Sequence, residues 1–125
     1  MAKTPSAEIA WLPQPEDHNY PAAESYLSLS MSVARAKKHA AELKAAPLSS
    51  FKAKDILRAS QLSMLGVSNS HVESNLAKIR KGTPLSPLLL LRDEDRGRVV
   101  VADGYHRLCA VYQLDEDALI PCKIV

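Results

Sequence analysis

The chain has 125 residues, 46% of them hydrophobic, which is enough for one domain that buries about two-thirds of its unfolded surface. Its formal net charge of +2 is too small to indicate nucleic-acid binding by itself, and Cys109 and Cys122 lack the spacing of a zinc site or a disulfide framework. The first residues lack the apolar core of a signal peptide, and the longest apolar run, Leu88 to Leu91, is too short to cross a bilayer. We therefore expect a cytoplasmic protein that holds no zinc and does not contact membranes.

An irregular arm is predicted over residues 1–20, because Pro5, Pro13 and Pro15 interrupt any regular period. Within this arm Trp11 is expected to pack over the core, the alternative being a ring that stacks on a ligand.

Two helices are predicted to follow the arm. The first begins near Asn19, where a proline suits the first turn, and runs through Leu29. Residues 27–33 also alternate between apolar and polar side chains, so a strand is the competing interpretation there. The second helix extends from about Val33 to Ala46, because apolar residues form one stripe and a proline follows.

The middle of the chain predicts a short strand, a turn of helix and a longer helix. The strand covers residues 50–53 and the turn of helix covers residues 55–59. Ser70 and Glu73 have the spacing of a capping box, which places a helix start at Ser70. Gly82 and a nearby proline end this helix after Lys81.

A hairpin, a helix and one more strand complete the predicted fold. Leu88 to Leu91 suit a central strand buried on both faces, and a charged turn joins it to a partner strand at Val99 to Ala102. The helix runs from Tyr105 to about Gln113 and is expected to bury three residues: Leu108, Cys109 and Tyr112. The last strand covers 120–125, where Pro121 suggests an edge position or a strand start.

These elements predict an α+β fold, with a small mixed sheet and flanking helices in a single domain over residues 1–125. In this division residues 1–20 are the arm, residues 21–47 are a helical extension, and residues 48–125 form the core.

The side chains best suited to bind a ligand are concentrated in residues 99–111, VVVADGYHRLCAV. A buried strand leads into Asp103 and Gly104, which predict a tight turn, and residues 105–107, Tyr-His-Arg, form the first turn of a helix. A helix start presents unpaired backbone N–H groups, and an imidazole and a guanidinium beside it add further donors. This arrangement predicts a site for phosphate or another oxyanion.

The Asp-Gly-Tyr-His-Arg turn resembles that of the ParB/sulfiredoxin-fold superfamily, which includes the N-terminal domains of chromosome-partition ParB proteins, the sulfiredoxins and the ADP-dependent serine kinases. The element order over residues 50–125 resembles this superfamily as well, ending with an Ile-Pro-x-x-Ile-Val strand. The whole chain also looks like small bacterial proteins built around a ParB-like core. The resemblance implies such a core, preceded here by an extra N-terminal helical segment.

In the superfamily this turn contacts nucleotide phosphates. The resemblance therefore implies that Gly104 lets the backbone approach a phosphate, that His106 and Arg107 donate to it, and that Tyr105 is among the ligand contacts. Asp103 matches an aspartate of the serine-kinase pattern, which implies a base toward a hydroxyl or a contact to Mg²⁺. Asp103 and His106 are thus the candidate catalytic residues.

Departures from the superfamily narrow the implied activity. Sulfiredoxins have a nucleophilic cysteine where this chain has Tyr105, so we do not expect sulfiredoxin chemistry here. Cys109 is expected to be a core residue and not a substitute nucleophile. ParB proteins have Gly-Glu-Arg-Arg at the turn and continue into DNA-binding and dimerisation domains, which we do not expect here. The nucleotide stays open between ATP, ADP and CTP.

Lys52 and Lys54 are further candidates for ligand binding, since by resemblance their segment runs close to the ligand groove. On a strand the two side chains would point to one face. The alternative is a solvated basic surface, which is the expected state of residues 35–44. Phe51 is the one aromatic residue among these charges, so nucleic acid has little support as a partner.

The other histidines and acids are expected to have ordinary surface roles. His71 would reach the groove if the start of its helix faces it, and otherwise it is solvated or adjacent to the helix cap. The acidic pairs Asp93/Asp95 and Asp115/Asp117 are interpreted as solvated turn carboxylates.

We therefore expect a domain that binds a nucleotide or another phosphorylated small molecule, with phosphoryl transfer or nucleotide hydrolysis as the reaction if it is an enzyme. The competing hypothesis is a non-catalytic regulatory or interaction module, linked to DNA maintenance or a mobile element and open to homodimer formation. In a third interpretation, His106 and Arg107 only cap and brace the turn by hydrogen bonds to nearby carbonyls.

Overall fold

One mixed sheet of four strands lies between two layers of helices, as described by a computed structural model for residues 8–66 and 69–125. The α+β class is therefore confirmed. The helices are α1 (Asn19–Leu27), α2 (Val33–Ala45), α3 (Ala53–Ser60), α4 (Ser70–Arg80) and α5 (Tyr105–Leu114). The strands are β1 (Ser49–Lys52), β2 (Leu88–Asp93), β3 (Arg98–Asp103) and β4 (Leu119–Ile124).

The strand order in the sheet is β1-β4-β2-β3. The predicted hairpin of β2 and β3 is confirmed, and a short 3₁₀ turn at Glu94–Arg96 connects its strands. β4 pairs antiparallel with β1 and parallel with β2, so β2 and β4 are the two interior strands. None of the helices in the described part of the chain has the length and apolar character needed to cross a bilayer.

The leucines of β2 divide between two apolar clusters, because successive strand residues point to opposite faces of a sheet. Leu88 and Leu90 pack with side chains of α3, α4 and α5. Leu89 and Leu91 pack with side chains of α1 and α2 on the other face. The prediction of a central strand buried on both faces is confirmed.

Both predicted N-terminal helices are present, so the competing strand over residues 27–33 is wrong. α1 ends at Leu27, two residues earlier than predicted, and the Ser32 hydroxyl caps α2 by accepting from the backbone N–H of Arg35 at 3.2 Å. The first seven residues of the predicted arm lie outside the described residues. Trp11 packs against the core, as expected, and its neighbour Leu12 donates a backbone hydrogen bond to Leu85 at 2.8 Å.

The cap of α4 differs from the prediction. Asn69, not Ser70, is the N-cap residue: its Oδ1 accepts from the backbone N–H groups of His71 and Val72 at 3.0 and 3.2 Å. The capping-box spacing misplaced the cap by one residue, because asparagine and serine are equally good N-cap residues and stand next to each other here.

The expectation for Pro121 was also wrong, since β4 is an interior strand and Pro121 is its third residue. The sheet tolerates this proline because the pairing of β4 with β2 begins only at Cys122.

Two further expectations were wrong. Lys54 lies in α3 and not on a strand with Lys52, and Tyr112 is partly buried rather than buried.

A buried lysine joins the N-terminal helices to the sheet. Lys123 in β4 is only 5% exposed, and its ammonium group donates to the backbone carbonyl of Lys44 at 2.8 Å. The same nitrogen lies 5.6 Å from the ring centre of Tyr20 in α1. The charge thus meets the negative C-terminal end of α2 and the face of an aromatic ring.

Candidate anion-binding site at the start of helix α5

The turn between β3 and α5 is built on a glycine in the left-handed region. Gly104, at the N-cap of α5, has a φ of +105°, which side-chain-bearing residues rarely adopt. A Cβ atom added there would lie 2.7 Å from Nη2 of Arg107, so the glycine also leaves room for the arginine to fold back over the turn. The backbone can therefore pass directly from the sheet into the helix, as the sequence predicts.

Arg107 and Asp103 are partners within this turn. Nη2 of the guanidinium donates to Oδ2 of Asp103 at 2.7 Å, and the two side chains are only 17% and 16% exposed. Nε of Arg107 is buried and, among the described residues, has no hydrogen-bond partner. Arg107 thus braces the turn through the Asp103 carboxylate and not through a carbonyl, and its predicted contact with a phosphate stays a prediction.

Asp103 is also the residue to which the resemblance assigns Mg²⁺. That cation prefers several oxygen ligands in octahedral geometry. The carboxylate already accepts a short hydrogen bond from Arg107, and within the described chain no group of three or more potential metal ligands occurs. Because Mg²⁺ is commonly held by one or two carboxylates together with waters and ligand phosphates, the predicted contact of Asp103 with Mg²⁺ stays a prediction.

The first turn of α5 has no side-chain cap, since Gly104 carries no side chain. The neighbouring helix α4 differs, because Asn69 satisfies two of its first N–H groups. Uncapped N–H groups at a helix start are the backbone donors that an anion accepts from.

A cleft of about 370 Å³ lies against this helix start, and we call it the α5 cleft. It is bordered by the turn residues and by apolar side chains from other elements: Ala22, Tyr26, Leu62, Val101, Ala102, Asp103, Gly104, Tyr105 and His106. As far as the chain is described, Arg107 is not part of this lining. The cleft therefore combines backbone donors and an imidazole with apolar walls.

His106 is in ring contact with His71, which is the second residue of α4. The two ring centroids lie 4.8 Å apart with the planes tilted by 45°. His71 therefore lies beside the α5 cleft. This agrees with the interpretation in which the start of α4 faces the ligand groove. Burial lowers the pKa of His106, and the nearby positive charges of His71 and Arg107 lower it further, so the imidazole is neutral at pH 7.

Tyr105 borders the α5 cleft and also helps to fix a loop. Its hydroxyl donates to the carbonyl of Ser63, and one and two turns further along α5, Cys109 and Gln113 hold Leu65 by hydrogen bonds of 3.4 and 2.9 Å. Burial, with Cys109 nearby, raises the pKa of Tyr105 to about 12. Cys109 is buried, which confirms that it is a core residue.

Lys52 and Lys54 lie at the opposite end of α5. Nζ of Lys54 is 2.7 Å from Oδ1 of Asp117, and that of Lys52 is 4.0 Å from the same atom. This ion pair raises the pKa of Lys54. Lys54 borders another cleft, between α3 and Tyr112, so the structure does not bring the two lysines to the turn at Gly104.

Sequence reasoning missed the contributions of distant segments to the α5 cleft. Tyr26 comes from α1, and Leu62 comes from the loop held by Tyr105. Neither has a local sequence signal, because both reach the cleft through tertiary packing. Comparison of this chain with models of protein families, with curated proteins and with solved structures finds no match.

Proposed function

We propose that this protein binds a phosphate-bearing small molecule of the nucleotide class in the α5 cleft. A phosphate would accept hydrogen bonds from the backbone N–H groups at the start of α5, with His106 beside it. The observation that carries this proposal is the uncapped helix start at Gly104, which borders the cleft directly.

The rest of the cleft suits the non-phosphate part of such a ligand. Tyr26, Leu62 and Val101 provide aromatic and aliphatic surface within the same cleft. Small-molecule sites commonly combine apolar walls with a few convergent polar groups, and a volume of about 370 Å³ lies within their usual range.

A binding or regulatory module is the second candidate function, and the Asp103–Arg107 contact favours it over an enzyme. Asp103 is the carboxylate among the described residues that line the cleft, and its Oδ2 is engaged at 2.7 Å with the guanidinium of Arg107. A general base needs a free lone pair within reach of the substrate proton. We therefore favour binding without turnover.

The resemblance to the ParB/sulfiredoxin-fold superfamily supports the same ligand class, because the matching turn there contacts nucleotide phosphates. We propose membership of that superfamily on the Asp103 to Arg107 turn and on the element order that follows α3. We also propose a cytoplasmic location, which suits two buried cysteines that form no disulfide.

Calorimetric titration of the full chain tests the proposal, with ATP, ADP, CTP, GTP and inorganic phosphate as separate probes, each with and without Mg²⁺. We expect at least one nucleotide to bind at millimolar concentration or below, with amide chemical-shift changes at Gly104, Tyr105 and His106. His106→Gln should weaken binding by about tenfold, whereas His39→Gln on α2 should leave it unchanged. If none of the five probes binds, the proposal is wrong.

A phosphate-release assay on the same samples separates the two candidate functions. Binding without release of phosphate supports a binding module. Turnover that disappears in Asp103→Asn while nucleotide affinity is retained would instead establish an enzyme.

A further inference from the structure

The His71–His106 pair is a feature of the α5 cleft that phosphate binding alone does not require. The rings come from the first turns of two different helices, and their centroids lie 4.8 Å apart. His106 is partly buried at the border of the cleft, while His71 is exposed. A positive charge on His71 disfavours protonation of the His106 ring at this distance.

The charges that surround the pair oppose its protonation while the cleft holds no anion. Arg107 lies next to His106 in α5, and the backbone N–H groups of two helix starts carry partial positive charge. Asp103, at the end of β3, is the acid at this turn, and Arg107 already neutralises it. The other charged groups on the elements packed against α5 are Glu73, Lys78 and Arg80 on α4, Lys54, Asp55 and Arg58 on α3, and Arg92 and Asp93 on β2.

An anion in the α5 cleft reverses this balance. A negative charge within hydrogen-bond distance of His106 stabilises the imidazolium form of that ring and offsets the repulsion from His71. Binding of the anion and protonation of the pair must then strengthen each other, because the coupling of two equilibria is reciprocal.

We infer that the α5 cleft binds its anion together with a proton taken up by the His71–His106 pair, so that the site fills more readily as the pH falls. The inference rests on the proposed function, because it concerns the same cleft. No covalent step is involved, since the proton comes from solvent and resides on an imidazole nitrogen. The bound anion and this proton together carry one negative charge fewer than the free anion. The pair thus makes occupancy of the cleft respond to pH near neutrality.

Sulfate is the probe for the test, since it stays a dianion over the whole range in which histidine titrates and any pH dependence then belongs to the protein. We expect the affinity of the full chain for sulfate to be about tenfold higher at about pH 5.5 than at about pH 8. Calorimetry at about pH 6.5 in two buffers of different ionisation enthalpy should show uptake of about half a proton per sulfate bound, the amount that a tenfold change in affinity requires.

Variants assign the proton to the pair. His71→Gln and His106→Gln should each reduce the pH dependence of sulfate affinity severalfold, and His39→Gln should leave it as in the wild type. A measurement on the unmodified chain makes the test independent of variant folding: sulfate should raise the titration midpoint of the His106 ring protons in NMR spectra.

The possible results separate the two proposals. Binding of nucleotide or sulfate with equal affinity at both pH values and no proton uptake overturns the proton coupling and leaves the proposed function standing. Proton uptake that persists in both histidine variants also overturns it. If no probe binds at either pH, the proposed function fails and the coupling fails with it.

Discussion

Gly104 packs so closely against Leu88 that a Cβ atom at position 104 would lie 2.9 Å from Cγ of the leucine. Leu88 is fully buried between the sheet and α5, so it has no space into which to move. The predicted oxyanion turn is therefore fixed by the core of the domain as well as by the backbone preference of glycine.

Gly104→Ala should accordingly destabilise the protein by about 3 kcal/mol, the sum of a strained backbone and an overpacked core. Gly82→Ala is the matched control, because Gly82 also has a positive φ, +73°, but an added Cβ there meets nothing within 4 Å. The control should lose only about 1 kcal/mol. Urea denaturation measures both free energies of unfolding, and equal losses would show that the contact with Leu88 is unimportant.

The contact between Asp103 and Arg107 should be energetically coupled. Because both side chains are largely buried at a separation of 2.7 Å, a double-mutant cycle of Asp103→Asn and Arg107→Gln should give a coupling energy of about 1–2 kcal/mol.

The exposed pair Asp55/Arg58, with a separation of 3.9 Å, is the control for this cycle. It should give a coupling energy below about 0.5 kcal/mol, because solvent screens the two charges. If the two cycles give the same small value, Arg107 is free to leave Asp103 and to take the phosphate-binding role that the resemblance implies.

The stability of the anion-free protein should fall as the pH drops below the usual pKa of histidine. The pKa of His106 is lowered by burial from its ordinary value of 6.5, so the unfolded chain binds more protons than the folded chain in this range. Stability therefore rises with pH and is lost progressively below about pH 6.5. Thermal unfolding at low ionic strength in buffers without phosphate or sulfate, at about pH 7.5 and about pH 5.5, checks this.

The variant that tests the role of His106 is His106→Gln, in which the difference in Tm between the two pH values should be smaller than in the wild type. His39→Gln should retain it. A wild-type Tm that rises on acidification would contradict the sign of the pKa shift.

Most helices and strands of this fold could be predicted from local signals. Pro47 ends α2 within one residue of the predicted position, and the four leucines of β2 have the continuous apolar character that a strand between two helical layers requires. The turn at Gly104 is also local, since its glycine and the helix start follow from adjacent residues.

Long-range pairings could not be predicted in this way. Pro121 indicated an edge strand, and only the register of β4, which meets β2 from Cys122 onward, explains why it lies inside the sheet. In the candidate site, the meeting of His71 and His106 depends on how α4 packs against α5, and the position of Lys54 at Asp117 depends on where α3 begins. These contacts have no periodicity along the chain.

Both thiols should be unreactive in the folded protein. Cys109 and Cys122 are buried, and burial raises the pKa of Cys122 to about 11, so its thiolate is scarce at neutral pH. Ellman's reagent should therefore titrate no thiol rapidly in native buffer and two thiols in denaturant. Rapid labelling of either cysteine without denaturant would show that α5 or β4 opens readily.

Lys123 should contribute to stability through its contact with α2. Replacing it in Lys123→Met keeps the volume but leaves the carbonyl of Lys44 without its donor at 2.8 Å and removes the charge above the Tyr20 ring. Relief from charge burial offsets part of this loss, so we expect destabilisation of about 1–2 kcal/mol in urea denaturation. The control is Lys38→Met at an exposed position of α2, which should change the free energy of unfolding by less than about 0.5 kcal/mol. If Lys123→Met is instead as stable as the wild type, the apolar contacts of α1 and α2 with Leu89 and Leu91 hold this layer on the sheet without help from the lysine.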